Sequence, residues 1–406
     1  MRQFSSIFRR YPIQFWLLIF GLVISTTGTT MVWPFLTIYA SETLSLPMAA
    51  VTSLMTFNSI SGLIASILAG TLVDYFGRKS IMVFGVFGMA LVYLSYIFAN
   101  EFWQFGLLMF LSGSFSPLYR IGTDAIVADM LPAEERAQAY GFLRMGRNIG
   151  VALGPILGGI VLSSSYNIGF VSAALALATY GIITLLFLKE TLERKTGEKR
   201  ESLRDQFRVM HQAMRNKAFM RMLGSFTLME ICATLMWVIL AVYIKQNFGI
   251  QEDQYSWIPT TNALMVIFLQ VGITRLTARH DPHRVMPIGA AFYPLAMLII
   301  AYSTNFWGFL LAMVVMTFGE LITAPTATAY IANLAPAGQR GRYLGFFGLN
   351  WFIALSIGPM GAGILTDKFS IQTPWFVGAV VGALSVLAFW SLRHIGKTPE
   401  ATQEIS

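Results

Sequence analysis

Long apolar stretches separated by short polar breaks dominate this chain. A helix that crosses a bilayer needs roughly 20 mostly apolar residues. Twelve segments meet that need: 13–38, 47–73, 80–99, 103–130, 137–163, 167–188, 218–244, 254–277, 284–303, 306–333, 339–366 and 373–393. The pattern therefore predicts an all-α membrane protein with 12 transmembrane helices, six on each side of one long polar interval. Tyr11 to Ser41 is free of charge for 31 residues, too long for the apolar core of a signal peptide. No small-residue cleavage site stands out, so it reads as an uncleaved first span. The polar interval, "KETLERKTGEKRESLRDQFRVMHQAMRNK", holds no apolar run of spanning length. Phe207, Met210 and Met214 recur in it at helical spacing, which predicts an amphipathic helix on the membrane surface. A flexible linker fits its first half equally well. The expected organisation is a helical bundle over 1–188, a linker over 189–217, and a second bundle with a short tail over 218–406.

Composition agrees with the pattern. The 406 residues are 55% hydrophobic and 12% charged, with a mean hydropathy of +0.62; a soluble domain is about one quarter charged. The net charge of +8 invites a nucleic-acid reading, which the placement of the basic residues removes. With the N-terminus inside, 23 Lys and Arg fall in inside segments, and only Lys245 and Lys368 fall outside. Lys and Arg accumulate on the cytoplasmic side of membrane proteins, so both ends and the linker are expected in the cytoplasm. Cys232, the single cysteine, has no internal disulfide partner. No P-loop, dinucleotide fingerprint or HExxH pair is present, so neither an enzyme nor a cofactor is expected. His211, His280, His283 and His394 all fall in expected cytoplasmic segments, and His280, Asp281 and His283 read as a solvated loop rather than a metal site.

The halves repeat. "ADMLPAEERAQAYGFLRMGRNIGVALGPILGGI" aligns without gaps on "ANLAPAGQRGRYLGFFGLNWFIALSIGPMGAGI" at an offset of 204. Pro132 meets Pro336, Arg136 meets Arg340, Gly141 meets Gly345, and Gly154–Pro155 meets Gly358–Pro359. The same offset brings Asn58 onto Asn262. Such a repeat predicts two pseudo-symmetric six-helix bundles of like topology, with a site between them near the midplane.

Two glycine motifs carry more than packing. In "GTLVDYFGRKS" the glycines permit close helix approach and a tight turn, while Asp74, Arg78 and Lys79 sit at a helix end. This stretch resembles motif A of the major facilitator superfamily, matched by Gly70, Leu72, Asp74, Gly77, Arg78 and Lys79, with Tyr75 where the family often has Arg. The resemblance implies a cytoplasmic latch that includes Asp129 at the end of helix four. The second-half loop "ARHDPHRVM" has no counterpart of Asp74, so one latch is implied. In "GVALGPILGG", Gly150, Gly154 and Gly158 form one smooth face, Pro155 bends the helix, and Gly159 follows. It is similar to motif C, associated within the superfamily with drug/proton antiporters. The family's motif B arginine is missing: aligning Gly113 puts Met109 at its position.

Six charges remain at membrane depth: Arg120, Asp124, Arg144, Arg147, Glu230 and Glu320. Each costs at least ~2.5–3.5 kcal/mol to insert, so each is expected to face protein or water and to serve a function. Asp124 stands eight residues before Pro132 and Arg144 eight after Arg136, which places both ~12 Å from the helix ends. Arg120 and Arg147 lie ~16–18 Å in. Asp124 thus has Arg120, Arg144 and Arg147 as available partners, either as a structural network or as a working one. Glu230 and Glu320 stand in otherwise uncharged helices, and the offset maps them onto Thr26 and Ser116. Burial favours the neutral form of such a carboxylate, which suits a proton carrier. Trp33, Asn58, Tyr119, Trp237, Asn262, Asn350 and Trp351 are the candidate substrate surface.

The expectation is a monomeric, proton-coupled secondary transporter of a cell membrane. Its partners are protons, the lipid bilayer and a hydrophobic or amphipathic small molecule, exported by multidrug-efflux-like antiport. Asp124, Glu230 and Glu320 would exchange protons, with Arg120, Arg144 and Arg147 as the accompanying charge network. Two alternatives stand: an anionic-solute transporter that uses the arginines, and a non-transporting membrane sensor.

Overall fold

A computed structural model describes residues 10–192, 203–336 and 339–392. Every regular element among them is helical. In chain order these are α1 (Ile13–Val32), α2 (Leu36–Leu44), α3 (Met48–Phe76), α4 (Arg78–Ser95), α5 (Phe102–Met130), α6 (Ala133–Leu162), α7 (Tyr166–Phe187) and α8 (Leu203–Arg215). There follow α9 (Lys217–Val238), α10 (Leu240–Phe248), α11 (Glu252–Tyr255), α12 (Trp257–Thr277), α13 (Pro282–Ala290), α14 (Phe292–Tyr302), α15 (Phe306–Leu334), α16 (Arg340–Phe347), α17 (Asn350–Lys368) and α18 (Thr373–Ser391). Among the described residues, eleven helical segments are long and apolar enough to cross a membrane. The remaining expected span is α5, 29 residues long and interrupted by Arg120 and Asp124.

Local chemistry sets the helix starts. Glu101 and Gln104 form a capping box on α5, with the Gln104 side chain accepting from the Glu101 N–H at 3.0 Å. Asn216 accepts from Phe219 N at 3.1 Å, and Asn305 from Gly308 N at 3.1 Å. Four expected spans are broken where the apolar pattern runs on. A 3-10 turn at Trp33–Phe35 separates α1 from α2, with Pro34 inside it. Breaks at Ile239, Ala291 and Gly348–Leu349 split three later spans. The helix expected late in the linker is α8, although the side chain of Phe207 lies outside the described residues.

Contacts divide the chain into two compact units, one of Met1–Leu203 with Leu240–Ile267, the other of Arg204–Ile239 with Phe268–Ser406. In the first unit α1 packs on α6 and α7, and α5 packs on α3 and α4. In the second, α9 packs on α17 and α18, and α15 on α13 and α14. The repeat reaches the level of single bonds. Thr30 donates across a helix crossing to Gly150 O at 3.0 Å, and Thr234, 204 residues later, donates to Ala354 O at 3.5 Å. Motif C faces the first of these crossings. A Cβ at Gly150 would lie 2.6 Å from Thr26 Cβ, and one at Gly154 2.9 Å from Met31 N, so only glycine lets α6 approach α1 this closely.

Candidate functional site

Three polar centres stand out in the described residues: the motif A corner, the α5–α6 seam, and an acid pair in the second unit. At the corner, α3 ends and α4 begins at Gly77, whose φ of 103° is a conformation that favours glycine. Arg78 Nη1 donates to Asp74 Oδ1 at 3.1 Å, and Nη2 donates to Asp129 Oδ1 at 3.3 Å. Gly70 lies one turn before Asp74 on α3. One carboxylate that sequence reasoning missed completes the corner. Glu190 accepts from the main-chain N–H of Arg78 at 2.9 Å and of Lys79 at 3.1 Å, capping α4 at its electropositive end. Thr191 Oγ1 donates to Asp129 Oδ2 at 2.9 Å, and Lys79 Nζ donates to Leu185 O at 2.8 Å. The short run after α7 thereby holds both the turn and the Asp129 carboxylate.

On the α5–α6 seam, Asp124 pairs with one of its three available arginines. Arg147 Nη2 donates to Asp124 Oδ1 at 2.6 Å, and both side chains are about one third exposed. Tyr140 OH donates to the Asp124 main-chain oxygen at 3.0 Å. Arg120 and Arg144 do not join this pair. Both are exposed and make no hydrogen bond or ion pair among the described residues. The four-membered network expected from sequence is thus one ion pair flanked by two open guanidinium groups.

In the second unit Glu230 (α9) lies within the electrostatic field of Glu320 (α15), and Tyr293 (α14) is in the field of both. Glu230 forms no salt bridge among the described residues and is partly exposed. Tyr293 carries no charge signal in the sequence, and only the folding of α14 against α15 brings it to the acids. Cys232, two residues on from Glu230, is buried and hydrogen bonds to Gly378 O at 3.3 Å.

The candidate substrate residues divide by exposure. Trp33, Tyr119, Trp237 and Trp351 keep part of their surface open. Asn58, Asn262 and Asn350 are buried. Asn58 Nδ2 is spent on Met109 O at 3.1 Å, a bond between α3 and α5, whereas Asn350 Nδ2 finds no partner among the described residues. The residues read as a solvated loop serve a helix start: Asp281 accepts from His283 N at 2.9 Å, and His280 Nδ1 lies 2.9 Å from Leu276 O.

A fourth polar cluster sits at the other end of the helices of the first unit. Lys245 Nζ lies 2.5 Å from Glu42 Oε1 and 2.5 Å from Glu252 Oε1. Tyr166 OH donates to the same Glu252 oxygen at 2.6 Å, and Gln246 Nε2 donates to Ser41 Oγ at 2.8 Å. Burial lowers the pKa of the Lys245 ammonium, but its hydrogen bonds and charge pairing with Glu252 and Glu42 outweigh burial and raise it above the ordinary 10.5. The last motif C glycine serves this cluster, since a Cβ at Gly159 would lie 2.6 Å from Ser256 Cβ and 2.9 Å from Glu252 O.

Sequence and structure comparisons lead to transporters. The chain is 26% identical to the uncharacterized MFS-type transporter YqjV of Bacillus subtilis, over 93% of this chain and 92% of that one. It is 25% identical to a Na(+), Li(+), K(+)/H(+) antiporter of Planococcus maritimus, over 91% and 92%. To the multidrug resistance protein MdtH of Salmonella paratyphi B it is 24% identical, over 83% and 84%. A crystal structure of a mutant of the peptide transporter POT superposes with a TM-score of 0.81 at 14% identity, covering 95% of each chain, which establishes the shared fold. The family model described as Major Facilitator Superfamily matches residues 18–238 and 222–405, so the chain is a multi-pass membrane transporter belonging to that superfamily.

Proposed function

We propose that this transporter is a proton-coupled exporter of hydrophobic or amphipathic small molecules, working by alternating access of its two halves. The acid pair carries the reading. Glu230 and Glu320 stand on different helices of one unit, each feeling the other's charge, at a depth where a carboxylate is expensive to keep for packing alone. Two carboxylates kept in one low-dielectric unit are costly to ionise together, which suits a pair that takes up and releases protons as the site changes its exposure. Asp124, held by Arg147, is the third acid of the coupling path. Relatives named as a cation/proton antiporter and as a multidrug resistance protein are consistent with this exchange.

The Lys/Arg asymmetry supports a cytoplasmic side for both termini, residues 189–217 and the motif A corner, and in this reading the Arg78 bonds to Asp74 and Asp129 serve as a latch. The test is a transport assay in inverted membrane vesicles energised by a proton gradient. Glu230→Gln, Glu320→Gln and Asp124→Asn, singly, should each abolish or strongly reduce gradient-driven uptake. Full uptake in all three variants would remove the coupling assignment.

A further inference from the structure

The α5–α6 seam carries more positive charge than its single ion pair consumes. Asp124 commits its carboxylate to Arg147, and Tyr140 bonds to the main chain of Asp124 rather than to that carboxylate. Tyr140 and Arg147 both reach Asp124, so the face of α6 that holds them is turned toward it. Arg144 belongs to that face, four residues after Tyr140 and three before Arg147. Arg120 stands one turn from Asp124 on α5. Three guanidinium groups and one carboxylate therefore share a short length of two helices, a net charge of +2.

Depth and exposure decide what surrounds them. Counted from the end of α5 at Met130 and the start of α6 at Ala133, the three arginines lie ~15–21 Å inside the helix ends. Arg120 and Arg144 are nevertheless exposed and have no partner among the described residues. Hydrocarbon does not accommodate an exposed guanidinium at that depth, whereas a water-filled recess does. An unpaired guanidinium fork in such a recess matches the paired oxygens of a carboxylate, sulfonate or phosphate. Positive charge focused by low-dielectric walls concentrates anions there.

We propose that Arg120, Arg144 and Arg147 form an anion-binding site in the transport pathway, which takes the carboxylate, sulfonate or phosphate group of an amphipathic solute. This names the substrate class of the exporter proposed above and rests on that reading for its place in the pathway. Asp124 is the site's positioning residue, holding Arg147 through their ion pair.

The probe is radiolabelled 2-naphthalenesulfonate, with 2-naphthylmethylammonium as the cation of the same ring. Both are measured by equilibrium dialysis against the full-length protein in phosphatidylcholine nanodiscs. The sulfonate should bind saturably, and at least ten-fold more weakly to the Arg120→Gln, Arg144→Gln double variant, while the cation shows no such loss. Arg120→Lys with Arg144→Lys, checked for monodispersity, should recover part of the affinity. Equal binding of the two probes, or unchanged sulfonate affinity in the Gln variant, overturns the proposal. Displacement of the sulfonate by phosphatidylglycerol in the disc overturns it also, because a lipid headgroup then fills the site. Proteoliposomes with an imposed proton gradient separate this inference from the coupling. Sulfonate binding without gradient-driven flux of either probe leaves the arginine site standing and removes the coupling. Gradient-driven flux that ignores both arginines leaves the coupling and removes the site.

Discussion

At Gly77 the φ of 103° strains any side chain, and a Cβ there would sit 2.5 Å from Glu190 Oε2, the carboxylate that caps α4. Gly77→Ala should therefore destabilise the protein by ~1–3 kcal/mol, from backbone strain and a displaced cap together. Glu190→Gln, which keeps the shape and loses the charge, should cost less than that. Melting midpoints of the purified protein in detergent check both, and an Ala variant as stable as wild type would show that the turn relaxes freely. The need for glycine was readable from the motif, because the spacing of Gly70, Asp74 and Gly77 announces a helix end and a turn. The partner was not. Glu190 lies 112 residues from Arg78 in the chain, and nothing in "FLKETLER" says where its carboxylate will point. The same holds for Arg147 as the choice of Asp124: spacing offered three arginines, and side-chain packing across the hairpin selected one.

Helices in this protein meet through small surfaces, and the glycines of the repeated motif do not all carry equal weight. A Cβ at Gly154 would collide with Thr30 Oγ1 and with the α1 backbone, and one at Gly358 with Thr234 Oγ1, whereas nothing lies within 4 Å of a Cβ at Gly361. Gly154→Ala and Gly358→Ala should each lower the melting midpoint by several degrees, and Gly361→Ala should leave it within about a degree of wild type. If the Gly361 variant were the most damaged of the three, close helix approach would be the wrong account of these motifs. At the far end of the first unit's helices, the link from α10 and α11 to α2 and α7 is electrostatic. Lys245→Met leaves Glu252, 4% exposed, with Tyr166 as its donor, at a cost of ~3 kcal/mol. Because folding raises the Lys245 pKa, the contribution of its charge is fully present below the ordinary 10.5 and is lost as pH rises through the folded value. Melting curves of wild type and Lys245→Met should thus differ by a constant amount at neutral pH and, on the alkaline side, converge only above about 10.5. Convergence between pH 5 and 8 would assign the stability to other groups. Hydropathy located the spans around these contacts. It could not locate the breaks at Ile239 and Ala291, because apolar residues continue through both and hydropathy is blind to helix geometry.

At the scale of the whole molecule, the sequence repeat and the packing divide the chain differently. The offset of 204 maps α5, Phe102–Met130, onto α15, Phe306–Leu334, end for end, and the Thr30 and Thr234 bonds onto each other. By sequence, then, α10 to α12 belong with the second half. By contacts, Leu240–Ile267 is part of the first unit, fastened there by Lys245 on Glu42, Tyr166 on Glu252 and Ser256 against Gly159. Covalent order and compactness conflict along this stretch, and the conflict has a measurable consequence. The chain cut between Leu203 and Arg204 gives a first fragment that contains α1 to α7 but lacks the segment that completes its unit. That fragment exposes Glu42, Tyr166 and the Gly159 surface without their partners. Expressed alone it should melt well below the same fragment co-expressed with residues 204–406, and co-expression should restore protection of the Tyr166 region from proteolysis. Replacing Lys245 and Gln246 by Ala in the second fragment should abolish much of that rescue while leaving the α9–α17–α18 packing of its own unit intact. A first fragment equally stable alone and in company would mean that residues 240–267 rest on the first unit without supporting it, and the polar cluster would then be a surface contact rather than a fastening.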